Sequence, residues 1–111
     1  MSAFKTPLVR YPPLVLLVAL RDDLARICTH AIAPLPTMRA ASAATAVERL
    51  TIVRPLMVIA SDEIGDDERA VLAERSADVL SELVTVSPLE DHIELGARLK
   101  RAAREAETRR G

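Results

Sequence analysis

The sequence predicts one α/β domain, built on a parallel sheet of four strands with helices on both faces. Leu14–Leu20 is a continuous apolar run without alternation, as a strand buried on both faces reads, and Leu56–Ala60 and Leu83–Val86 are further short apolar runs, the last broken by Thr85. Between them, apolar residues recur at helical spacing. Strands alternating with helices are the pattern of a parallel sheet, and each crossover is expected to be right-handed. At 111 residues the chain buries roughly two-thirds of its unfolded surface, enough for one core.

Each element follows from local chemistry. Residues 1–13 read as a leader whose Tyr11-Pro12-Pro13 sets an extended approach to the first strand. Asp22 and Asp23 are expected helix N-caps ahead of the stripe Leu24, Ile27, Cys28 and Ala31. Pro34 and Pro36 stop that helix, and Thr37–Ala41 is a weak edge strand. Ser42 caps a second helix with Ala43, Ala46, Val47 and Leu50 inward, ended by Pro55. After the polar loop Ser61–Asp67, a third helix runs from Asp67 to Leu80 with Ala70, Val71, Ala73, Ala77 and Leu80 inward. Pro88 opens the last helix, whose expected buried side is Leu89, Ile93, Ala97 and Leu99. The domain is set at 14–106, with 107–111 as a basic tail.

Composition narrows the function classes. The only aromatics are Phe4 and Tyr11, so the core is aliphatic. A net charge of −1 makes no global case for nucleic acid or membrane as partner. No apolar run approaches the roughly 20 residues that span a bilayer, and no secretory cleavage pattern is visible. The single Cys28 excludes an internal disulfide framework and fits a reducing cytoplasm. Charge is nonetheless uneven. Eleven acidic residues stand between Ala60 and Glu94 against Arg69 and Arg75, and from Arg98 onward Arg and Lys dominate. A solvated helix face with a dipole-favoured basic end accounts for this. The functional alternative is a basic strip, including Arg98, Arg101 and Arg104, that meets an acidic surface.

Two segments carry a family resemblance. Pro55-Leu56-Met57-Val58-Ile59-Ala60-Ser61 is similar to the run that ends in the phosphorylated Asp of response-regulator receiver domains. Val84-Thr85-Val86-Ser87-Pro88-Leu89-Glu90, followed by Leu95 and Leu99, resembles the end of their final strand and the last helix. The resemblance spans Leu14 to Arg104 and implies a three-layer flavodoxin- and receiver-like fold. Receivers fit a helix, a strand and a helix where Ser61–Ser87 has room for one helix. One strand–helix unit is therefore expected to be absent.

Receivers use carboxylates to hold Mg²⁺, an Asp nucleophile, and a Lys with a Ser or Thr to bind the acyl phosphate, so that growing charge is neutralised. Carried over, the acidic pair falls on Leu20 and Arg21, the nucleophile on Ser61 and the Lys on Ser87. Leucine cannot bind Mg²⁺, arginine repels it, and serine cannot form an acyl phosphate. These four positions mark a degenerate phospho-site. A register shift of one or two residues instead brings Asp22, Asp23 and Asp62, with Glu63, toward the strand ends, an alternative Mg²⁺-dependent phospho-site.

Other constellations carry less. His30 and His92 lack ligand spacing for a metal, Cys28 reads as a core thiol, and Gly65, Gly96 and Gly111 form no phosphate loop. Ser61, Ser87 and His92 lack a nucleophile-elbow context. The expectation is a non-catalytic pseudo-receiver without metal or cofactor, a phosphorylation-independent protein-interaction module in bacterial signalling or cell organisation. Surface exposed by the missing unit predicts a homodimer. The competing readings are a phospho-accepting receiver using Asp62, a ligand binder at the strand-end crevice, and a nucleic-acid adaptor using Arg98–Arg110. The shortage of aromatics for base stacking counts against the last.

Overall fold

The computed structural model describes residues 13–110, so nearly all of the expected leader, and Gly111, lie outside the described residues. The elements are β1 (Val15–Val18), α1 (Asp22–Ala31), β2 (Thr37–Ala40), α2 (Ala43–Val53), β3 (Met57–Ser61), α3 (Asp66–Asp78), β4 (Glu82–Val86) and α4 (His92–Arg110). The strands form one parallel sheet in the order β2-β1-β3-β4. Val15, Leu17, Met57 and Ile59 face α1 and α4, whereas Leu16, Val18, Val58 and Ala60 face α2 and α3. Successive strand residues point to opposite faces. A strand covered on both sides therefore needs apolar residues throughout.

Two caps differ in kind. Ser42 accepts the Thr45 N–H at 3.2 Å, as a capping serine should. Asp22 and Asp23, expected as caps, instead occupy the first turn of α1 behind Arg21. Asp23 Oδ1 accepts the adjacent Leu24 N–H at 2.8 Å, and both carboxylates sit where the helix dipole favours them.

The buried faces of α3 and α4 depart from expectation. On α3 the buried residues are Leu72 and Ser76 rather than Ala70, Val71, Ala73, Ala77 and Leu80. Val71 is 46% exposed and Leu80, beyond the helix with φ 59°, is 83% exposed. One leucine removes more apolar area from water than an alanine does, and burying Leu72 sets the rotation of the helix. On α4 the buried stripe is Leu95, Leu99, Ala103 and Ala106, so of the expected set Leu89, Ile93, Ala97 and Leu99 only Leu99 is buried. The helix begins later than Pro88. Ser87–Glu90 forms a turn, and Asp91 Oδ1 accepts the N–H groups of Ile93 at 2.8 Å and Glu94 at 3.3 Å. Leu89 lies outside the helix at 94% exposure.

Residues 107–110, expected as a tail, are the last turn of α4. Arg109 pairs with Glu82 at 2.7 Å, and Arg110 donates to the carbonyls of Arg54 at 3.1 Å and Pro55 at 2.6 Å. Because α3 fills Asp66–Asp78, no extra strand is compressed there, and the sheet stops at β4. Arg98 guards that edge by donating to the Thr85 carbonyl at 3.1 Å, a charged cover of the kind edge strands require.

Leu99→Ala is expected to cost about 2–5 kcal/mol in urea denaturation, the range for a fully buried leucine. Ile93→Ala should stay within about 0.5 kcal/mol, as an exposed substitution does; equal losses would contradict the rotation of α4. Burial pushes the Cys28 thiol up to about 11, from 9.0. Its neutral form is favoured in the folded state, so this contribution is intact below pH 9.0 and is lost as pH rises through about 11. At neutral pH a thiol reagent should label Cys28 only as fast as the protein opens.

Candidate functional site

The chain leaves β1 toward β2 on one side and later adds β3 on the other. This reversal of strand order opens a crevice beyond the carboxyl ends, where open α/β sheets place ligands. The ends of β1, β3 and β4 lie side by side there, with Ser61 opposite Val86. Leu20 and Arg21, Ser61, and Ser87 are thereby brought to one edge.

At the end of β1, Ala19 takes φ 55° and its N–H donates to the Ala40 carbonyl at 2.9 Å. Leu20 then turns inward, 6% exposed, while Arg21 turns outward. Arg21 Nη2 meets Glu63 Oε2 at 2.7 Å, joining the start of α1 to the β3–α3 loop. Its bond to Glu63, with the attraction of that carboxylate, raises the Arg21 pKa further. Both side chains are substantially exposed, so the pair contributes little to stability. It instead neutralises the one carboxylate that reaches toward β1.

Ser61 ends β3 at 1% exposure, and its Oγ accepts the Glu63 N–H at 3.0 Å. The Asp62 N–H donates to the Val86 carbonyl at 2.8 Å, holding the loop against β4 with the Asp62 side chain outward. Ser87 donates its N–H to Glu90 Oε2 at 2.7 Å, and the other oxygen of Glu90 accepts from Arg98 at 2.6 Å.

Of the alternative carboxylates, two are engaged separately. Asp22 pairs with Arg39 at 2.8 Å, and Arg39 also donates to the Leu20 carbonyl at 2.7 Å. Asp23 serves its own helix start, and the Asp62 side chain is exposed. Among the described residues, no three of His, Cys, Asp and Glu gather closely enough to hold a metal ion.

A second concavity was not singled out from the sequence. A groove of about 890 Å³ runs between α1 and α4, with Ile27, Ala31, Ile93 and Ala97 along it and Arg26, His30, His92, Lys100, Arg101 and Arg104 among its polar lining. The two helices approach where Gly96 faces the Ala31 Cβ. Of the basic strip expected as an interaction face, Arg101 and Arg104 line this groove, whereas Arg98 turns to Glu90 and Thr85. The signal was present in the spacing 93, 97, 101 and 104, one helical face. It was hidden because Ile93 and Ala97 read equally well as core.

The sequence matches no family model and no curated protein. Among solved structures, it is similar to a crystallised signal receiver domain from Vibrio parahaemolyticus. The TM-score is 0.52 at 12% identity, over 87% of this chain and 94% of that one. No helix among the described residues is long and apolar enough to cross a membrane. The fold is that of a receiver domain shortened to a four-stranded sheet.

Proposed function

We propose that this chain is a pseudo-receiver, a non-catalytic module that docks onto proteins in the bacterial cytoplasm without being switched by phosphate. The observation that carries this reading is the state of the strand-end crevice. Phosphoryl transfer to a receiver needs a free carboxylate nucleophile beside carboxylates that hold Mg²⁺. Here β3 ends in a buried serine whose Oγ closes its own loop. Close by, an arginine and a glutamate are paired with each other. A guanidinium in that position repels a divalent cation. With the crevice so occupied, recognition falls to the helical faces, and the partner is a protein, a second copy of the chain included.

The Asp62 reading has one observation in its favour: Asp62 directly follows β3 and its side chain is exposed. An amide NMR titration with Mg²⁺ and then beryllofluoride, a mimic of phosphorylated Asp, separates the two. The pseudo-receiver reading expects the resonances of Asp22, Asp62 and Ser87 to stay in place and acetyl phosphate to add no mass. Shifts concentrated at those three residues, or a phosphoryl group on Asp62, would replace docking with a working switch.

A further inference from the structure

Two surfaces on opposite faces of the sheet lack partners, and their chemistry is reciprocal. On one face, the α1–α4 groove has an apolar floor and is lined by Arg26, Lys100, Arg101 and Arg104, with Glu105 its one acidic residue. None of these four cations takes part in an ion pair among the described residues, although Arg21, Arg39, Arg69, Arg98 and Arg109 all do. On the other face, α3 buries only Leu72 and Ser76 along 13 residues. Its outer side carries Asp67, Glu74 and Asp78 at helical spacing, bordered on one side by the exposed Ala70 and Ala77 and on the other by Val71 and Arg75. These acids are in no ion pair either. Small side chains let another helix approach closely, and the three carboxylates lie along one line of the helix. A narrow acidic helix is the shape and charge that a basic groove with an apolar floor accepts.

We propose that the chain associates head to tail with copies of itself, α3 of one copy lying in the α1–α4 groove of the next. The inference rests on the reading of the chain as a docking module and names its partner. Because groove and ridge are different patches on opposite faces, the contact is heterologous. It does not close as a two-fold dimer and propagates into a ring or an open filament.

Sedimentation velocity on the full chain tests this, over a roughly hundredfold range of concentration as mass action requires. The mass should rise from 12.1 kDa past twice that value. It should fall back between about 0.1 M and about 1 M salt, where the Debye length contracts from about 10 Å to about 3 Å. The groove variant Arg101→Glu/Arg104→Glu and the ridge variant Glu74→Lys/Asp78→Lys change exposed side chains only, so circular dichroism should match the parent. Each alone should remain monomeric, and mixing the two should restore association, since the exchanged charges again oppose one another. Three outcomes overturn the proposal. One is a parent chain that stays monomeric at every concentration. Another is a dimer untouched by the ridge variant, which means a two-fold contact through the groove. The third is a monomer that binds a polyglutamate peptide at Lys100, Arg101 and Arg104, which means a foreign acidic partner. All three leave the unswitched crevice standing, whereas beryllofluoride binding would remove that reading without touching self-association.

Discussion

Everything in this molecule depends on the burial of two central strands on both faces. Every residue of β1 and β3, from Val15 to Val18 and from Met57 to Ser61, is at most 1% exposed. Such strands need a helical layer on each side, because an uncovered face would return a row of leucines, valines and isoleucines to water. α1 and α4 supply one layer and α2 and α3 the other. The fold can therefore lose an outer strand and keep its core, but it cannot lose a layer. The sheet ends at β4 on these terms, with α4 still covering the face it shares with α1 and reaching over the edge through Arg98.

The same two strands set the crevice and decide what stands in it. Their carboxyl ends deliver Leu20, Arg21 and Ser61 to one place. A receiver-type phosphate site concentrates negative charge there and balances it with a metal. In this chain Arg21 pairs with Glu63 and Arg39 with Asp22 at that edge. Asp23 serves a backbone N–H there, and the Asp62 side chain is exposed.

Away from the crevice, the unpaired charges are segregated. The outer side of α3 is acidic and the α1–α4 groove is basic, which a net charge of −1 conceals. Segregated charge on opposite faces costs little within one domain, since the sheet and both helical layers separate the two signs. Its effect is felt between molecules, where it steers approach and sets orientation.

The architecture was legible in the order of apolar runs, because burial on two faces leaves an unbroken signature that periodicity cannot mistake. The residues that follow β1, β3 and β4 were legible too, since they are read directly from the chain. Helix rotation was not. In α3 and α4, alanines and larger aliphatic residues occur on more than one side, so several stripes satisfy the same spacing. Only packing against a particular stretch of sheet selected Leu72, Leu95 and Leu99 as the inward residues. That choice turned Ile93 and Ala97 from expected core into groove floor and exposed the acidic ridge of α3. The sequence by itself determined which elements form and what chemistry their ends can carry, because both are local. The tertiary structure alone decided which helix faces meet water, because that depends on residues distant in the chain arriving on the same side.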